Sequence, residues 1–195
     1  MTSKPAVDAS NQVAPPLDFS FRCLTQMSDV LEEDPRIGSR PLKTTDEGKV
    51  ISSAFKLNNN RIQDLNGFAD VVSNILDKPE ELSWIDLSFN DISKIDSILV
   101  NHSHLKMLYL HGNNINDLEE VDKLADLPNL ISLSLHGNPL ENEKEYRSYV
   151  LSKMPNLRTL DFSGVTKSDR DTAATWNKMY GGKRRKGKKK KQQKQ

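Results

Sequence analysis

Apolar residues in the middle of this chain recur in an eleven-residue phrase, LxxLxLxxNxL, whose polar positions are as regular as its leucines. It reads LSWIDLSFNDI from Leu82, LKMLYLHGNNI from Leu105 and LISLSLHGNPL from Leu130, with a weaker SSAFKLNNNRI from Ser52. A frayed fifth copy, LRTLDFSGV from Leu157, keeps the leucines and puts Val165 in place of the asparagine. Alternation predicts a short strand in each copy, with positions one, four, six and eleven turned inward. These are Leu82, Ile85, Leu87 and Ile92 in the second copy and Leu105, Leu108, Leu110 and Ile115 in the third. Between copies the spacing turns helical. Phe68, Val71, Val72, Ile75 and Leu76 predict a helix on the convex side, and LEEVDKLADLPNL a shorter one. Tyr146, Val150, Leu151 and Met154 share one helix face before Pro155 and the last strand. Ser168 as N-cap, with Asp171 three residues on and then Ala173, Trp176 and Met179, predicts a closing helix. Near the start, Leu17, Phe19 and Phe21 alternate as a strand does, and Leu24, Met27, Val30 and Leu31 follow at helical spacing. This segment is expected to cover the open first layer of the stack.

Copies beginning at 52, 82, 105, 130 and 157 are spaced within or just beyond the leucine-rich-repeat period of about 20 to 29 residues. The fold expected is an α/β solenoid, a leucine-rich-repeat array with a parallel concave sheet and helical caps at both ends. Residues 1–16 read as a disordered lead-in, 17–50 as the N-terminal cap segment and 51–165 as the repeats with their C-terminal cap. Residues 166–180 read as the closing helix and 181–195 as a disordered basic tail. Asn60, Asn90, Asn113 and Asn138 hold phrase position nine, where the chain leaves the strand. Their amides are expected to satisfy backbone groups that the turn would otherwise bury unpaired.

Charge changes the picture at one end. The formal charge of +1 comes from 28 basic and 27 acidic residues, but KRRKGKKKKQQKQ at 183–195 holds nine of the basic ones and no acidic one. Lys183, Arg184, Arg185, Lys186, Lys188, Lys189, Lys190 and Lys191 make this a candidate polyanion-binding arm. Nuclear import, a nucleic-acid backbone, acidic lipids and an acidic protein surface such as tubulin tails are its four readings, beside a purely solubilising one. No aromatic is interleaved to stack bases. The single cysteine, Cys23, forms no internal disulfide, and no run of about 18 apolar residues occurs. A cytoplasmic chain with no membrane insertion is expected.

Residues between the inward leucines face the concave side. Position three gives Ala54, Trp84, Met107, Ser132 and Thr159; position five gives Lys56, Asp86, Tyr109, Ser134 and Asp161; position seven gives Asn58, Ser88, His111, His136 and Ser163. Trp84, Asp86, Phe89, Met107, Tyr109, His111 and His136 are the candidate partner-binding residues, because aromatic side chains beside a methionine supply large apolar area with a polar handle. A zinc site at His111 and His136 would need further ligands, with only Asp86 or Asp161 near. No metal and no cofactor is expected. No Gly-rich phosphate loop, HExxH or nucleophile elbow occurs, so an enzyme is not expected.

NNNRIQDL, IDLSFNDISKID, LYLHGNNI, LHGNPLENEKEYRSYVL and LDFSGVTKSDR resemble the short, cysteine-free intracellular leucine-rich-repeat class that includes the phosphatase-regulator and spliceosomal A-prime types. PPLDFSF, SRPLK and FSGVTKSDR extend a resemblance outside the repeats to one family of that class, understood as cytoplasmic adaptors. It implies a protein partner on the concave face, a monomer within a larger assembly and, since relatives are common in motile cilia, a ciliary axoneme as destination. The alternatives are a nuclear ribonucleoprotein component with an RNA-contacting tail and a phosphatase-regulatory subunit. The basic tail departs from that family.

Overall fold

The computed structural model describes residues 14–181. The lead-in before residue 14 and the basic residues of the tail lie outside the described residues. Short strands follow one another as β1 (Leu17–Asp18), β2 (Ala54–Lys56), β3 (Trp84–Asp86), β4 (Met107–Tyr109), β5 (Ser132–Ser134), β6 (Thr159–Leu160) and β7 (Ser163–Gly164). They form one sheet in chain order, parallel from β1 to β6 and antiparallel between β6 and β7. The α-helices are α1 (Phe68–Ile75), α2 (Tyr146–Lys153) and α3 (Lys167–Trp176). Tighter 3-10 turns occupy Met27–Leu31, Ser97–Asn101 and Leu118–Asp126. The last of these is the connection expected to be a short α-helix. A 3-10 turn rises about 2.0 Å per residue against about 1.5 Å in an α-helix, so a short connection spans the repeat in fewer residues.

The inward leucines form a single continuous core from Leu17 to Leu160. Each repeat buries only one face of its own, so neighbours complete each other's walls and no repeat is self-sufficient. The register Leu17↔Phe55 and Asp18↔Lys56 puts Leu17, Asp18 and Phe19 at phrase positions four to six and buried Leu24 at position eleven. The N-terminal segment is therefore a degenerate repeat stacked on the array. Phe21 is not the third inward residue of a strand; it sits at position eight, exposed, with φ 59°. Leu31 is exposed as well.

Position eight explains itself across the array. Phe21, Asn59, Phe89, Gly112 and Gly137 occupy it, and all five have positive φ. The chain must leave the strand in a left-handed step, which glycine and asparagine take cheaply and phenylalanine takes at a cost. At Gly112 a Cβ would also lie 2.6 Å from the Phe89 ring.

The asparagines tie each repeat to the one before it. Asn90 Oδ1 accepts from Ile62 N (3.0 Å), while Nδ2 donates to the carbonyls of Leu57 and Leu87 (3.0 and 3.1 Å). Asn113 serves Ile92 N and Asn138 serves Ile115 N in the same way, each at 3.0 Å. Asn60 serves the degenerate first repeat, accepting from Arg22 N and Leu24 N at 2.9 and 3.1 Å.

Main-chain bonds run both ways between repeats: ahead of each strand N–H groups donate to the preceding repeat, as from Lys106 to Ser83 and Arg158 to Ile131. Past each strand, N–H groups donate to the carbonyls of the following repeat, as from Leu57 to Asp86, Leu87 to Tyr109 and Leu110 to Ser134. The fourth copy has no complete successor. There Asp161 Oδ1 accepts from Leu135 N and His136 N (2.7 and 3.0 Å), and Glu141 Oε2 accepts from Gly137 N (2.7 Å). At the other end the carbonyls lack donors, and Arg36 supplies them: its N–H reaches Asp18 O at 2.6 Å and its Nη1 reaches Ser20 O at 3.4 Å.

The fifth copy departs from the phrase. Asp161 and Phe162 both have positive φ, 52° and 59°, the two-residue turn that suits a β-hairpin. The chain folds back as β7, and Phe162, at a position where a core leucine is expected, is instead exposed. The closing helix starts earlier than expected. Thr166, not Ser168, is its N-cap, in a reciprocal capping box with Asp169, and Met179 is exposed. Arg170 on α3 donates to the carbonyls of Leu151, Met154 and Leu157, closing the C-terminal end of α2.

Candidate concave-face binding site

Strand register sets the site. Trp84↔Met107↔Ser132 and Asp86↔Tyr109↔Ser134 stand side by side on β3, β4 and β5, one strand spacing of about 4.8 Å apart. Trp84, Met107 and Tyr109 are partly exposed as the sequence reading requires. The Trp84 and Tyr109 rings meet edge to face at 5.9 Å, and Tyr109 Oη lies 4.0 Å from the Met107 sulfur.

Two of the candidate residues point outward but are not free surface. Asp86 is buried, accepting from Ser88 N at 3.0 Å and from Ser88 Oγ at 2.6 Å. Its carboxylate is committed to shaping the turn after β3. His111 is also buried, with Nδ1 at 2.8 Å from the buried Ser134 Oγ. These side chains fill the concave floor because the strands are only three residues long. The turn that follows each strand folds its polar groups back over the sheet.

His111 and His136 stack face to face, 4.7 Å between centroids and 7° between planes. Phe89 meets His111 edge-on at 5.0 Å. Phe162 closes the other side, 5.3 Å from Tyr109, 5.4 Å from His111 and 5.6 Å from His136. Phe89 and Phe162 remain 52% and 57% exposed, so the cluster ends in open aromatic surface. Phe162 was not among the candidates from sequence; its place at phrase position six marked it as core. The copy fits the phrase through position eight, and the first signal in the sequence that it is incomplete is Val165 in place of the asparagine at position nine.

Stacking faces rather than nitrogens is the wrong geometry for two imidazoles to share a metal. Among the described residues no group of three or more His, Cys, Asp or Glu could hold one. Burial first, and then the neighbouring His136, keep His111 below the usual imidazole range, while Asp86 and Asp161 pull the other way. His136 Nδ1 is 3.6 Å from Asp161 Oδ1, an ion pair only when the imidazole is protonated. Three enclosed polar atoms on this side, Asn58 Oδ1, Trp84 Nε1 and His136 Nδ1, have no hydrogen-bond partner among the described residues. Neither His102 nor His104 belongs to the site. His102 is buried against the Phe68 ring with Nδ1 3.2 Å from Pro79 O, and His104 Nδ1 is 3.0 Å from Glu80 O.

The leucine-rich-repeat family profile matches residues 57–192. Leucine-rich repeat-containing protein 51 of Macaca mulatta is 54% identical over 165 residues, 85% of this chain and 86% of that protein. The chain belongs to this leucine-rich-repeat family. The Mus musculus member is 50% identical over 92% of this chain and 93% of its own length, so the family likeness takes in the degenerate first repeat and the C-terminal cap. Human U2 small nuclear ribonucleoprotein A′ is more distant, 34% identical over 62% of this chain and 56% of that protein. Among solved structures, the Drosophila melanogaster SNF/U2A′ complex contains a chain that superposes with a TM-score of 0.56, at 27% identity, over 69% of this chain and 73% of that one. Leucine-rich-repeat proteins of this kind are generally interaction modules. Among the described residues of this family member no helix is long and apolar enough to cross a membrane.

Proposed function

We propose that the protein is a non-catalytic adaptor that holds a segment of another protein on its concave face. The observation that carries this reading is the exposed aromatic cluster of Phe89 and Phe162 around Tyr109 and the stacked histidines. Phe89 and Phe162 each keep a ring in solvent on a left-handed backbone, a conformation that costs a non-glycine residue on the order of 1–3 kcal/mol. Folding alone has no use for that arrangement, whereas an interface gains large apolar area from it. Asparagine accepts positive φ, so Phe89→Asn with Phe162→Asn removes both rings without straining the turns. Affinity purification and mass spectrometry from ciliated cells, comparing the intact chain with this double variant, tests the reading. Loss of captured proteins at an unchanged melting temperature is expected; full capture by the variant rejects the concave face.

The cytoplasm, with a ciliary axoneme as destination, is the location we propose, on the resemblance to cytoplasmic adaptors whose relatives occur in motile cilia. A nuclear ribonucleoprotein role is the second reading, favoured by the likeness to a chain of the SNF/U2A′ complex. Imaging a fluorescent fusion separates them. Axonemal signal supports the first; nuclear accumulation that disappears when the lysines and arginines of 183–195 are neutralised supports the second.

A further inference from the structure

Away from the concave face, a pocket of about 650 Å³ opens where the chain enters β4, β5 and β6. Its walls are built by repetition. The dipeptides Pro128–Asn129 and Pro155–Asn156 make equivalent corners, and each asparagine donates to the preceding loop, Asn129 to Ser103 O at 2.9 Å and Asn156 to Pro128 O at 3.3 Å. Three cations line the pocket, Lys106, Arg158 and Arg170, and no carboxylate does. Arg170 is fixed, its guanidinium spent on carbonyls at the end of α2, and burial weakens its hold on its proton. Asp169, its sequence neighbour, is turned away to Arg147 at 2.9 and 3.0 Å. The Lys106 ammonium and the Arg158 guanidinium are exposed, and neither has a partner among the described residues.

This concentration of unopposed positive charge contrasts with the sequence ahead of the basic tail. Residues 1–182 hold 19 basic residues (28 less the nine of the tail) against all 27 acidic ones. A negative body that gathers three cations around one cavity presents a local field of the opposite sign, which selects and steers an anionic partner. Spacing identifies its form. Lys106 and Arg158 precede strands β4 and β6, with Ile131 of the intervening repeat between them; the Ile131 N–H donates to Lys106 O, and the Arg158 N–H to Ile131 O. Two strand spacings separate their backbones by about 9.6 Å. A chain carrying several carboxylates can pair with both at that separation.

We propose that this pocket docks an acidic protein segment, one with at least two carboxylates along an exposed stretch, at a site separate from the concave face. Lys106 and Arg158 pair with the carboxylates, and fixed Arg170 supplies background positive potential.

The test is titration of the full-length, isotope-labelled chain with a hexaglutamate peptide, followed residue by residue in amide spectra. Saturable shifts centred on Lys106, Asn129, Ile131 and Arg158 are expected. They should persist when the basic residues of 183–194 are replaced by glutamine, and weaken about tenfold in affinity in Lys106→Glu with Arg158→Glu, since each exposed pair is reversed rather than merely removed. Both side chains are exposed, so the melting temperature of that variant should match the parent. Raising salt should weaken the binding. Shifts confined to 183–195, or undiminished affinity in the double variant, overturn the proposal. Equal shifts from inorganic phosphate at the same concentration overturn it in favour of a small-anion site. Tighter binding of an unstructured oligoribonucleotide to the same residues overturns it in favour of RNA.

Discussion

Both ends of the array lack the ladder asparagine, with Arg22 at phrase position nine of the first repeat and Val165 in the fifth, yet the structure treats them differently. The first repeat is complete without its own asparagine because Asn60 of the next repeat receives its N–H groups. The fourth copy has no complete successor, and an acidic side chain on a hairpin of the frayed fifth copy, Asp161, receives the amides that the main chain of a complete fifth copy would have taken. The difference teaches what the asparagine is for: it serves the repeat behind it. Just past the last full strand the amides of Leu135, His136 and Gly137 meet carboxylates, while in the first repeat the carbonyls of Asp18 and Ser20 meet Arg36. Every buried backbone group needs a partner somewhere, so the two ends required different residues.

The comparison can be broken by removing these side chains in turn. Asn90→Ala, the interior reference, strips one amide and two carbonyls of their partner in a buried setting and should cost about 3 kcal/mol, read as a lower urea midpoint. An unchanged midpoint would mean the ladder is decorative. Asp161→Ala should cost about 1–2 kcal/mol, less because water reaches the end of the array. It also frees the buried Tyr146 hydroxyl, which donates to Asp161 Oδ2 at 2.8 Å and, through burial and that carboxylate, is held well above the usual phenol range. Hydrogen exchange should show the Leu135 and His136 amides losing protection before any interior amide does. Arg36→Ala should cost no more than about 0.5 kcal/mol, because the main-chain N–H keeps the shorter bond and only an exposed side-chain contact is lost. A cost equal to that of Asp161→Ala would show that both ends depend on side chains alike.

The smallest effect is a pH dependence. Burial holds His102 and His111 below the usual imidazole range, so the unfolded chain binds protons that the folded one refuses. Stability is then fully present above the unfolded imidazole value near 6.5 and declines as pH falls below it. Melting temperature should drop between pH 7 and pH 5.5. A His102→Asn variant should show a shallower drop, and an identical slope would remove His102 from the account.

How much of this could be read beforehand follows the same division. Interior repeats were legible because each leucine and asparagine repeats a requirement imposed by identical neighbours on both sides. Leu17, Phe19 and Phe21 alternate as a capping strand would, and the identity of this segment as a further repeat is hidden because Arg22 replaces the asparagine that marks the others. Phe162 misled for the opposite reason. It fits the phrase by spacing, but a hairpin depends on the two left-handed residues at 161 and 162, which the leucine period does not report. Trp84, Met107 and Tyr109 were placed correctly on the concave side because alternation survives three residues of strand. The burial of Asp86 and His111 was not legible, since it depends on how the following turns close over the sheet.

The asparagine ladder also sets how this molecule could be lengthened. An interior repeat receives on one side what it gives on the other, so a duplicate of residues 105–129 spliced ahead of Leu130 would find its bonding needs already met by its neighbours. No such splice works beyond Asp161, where the chain has turned back on itself. At the two ends Arg36 and Asp161 occupy main-chain groups just past the strands. The array is a ruler whose length can be edited from within and whose ends are stoppered.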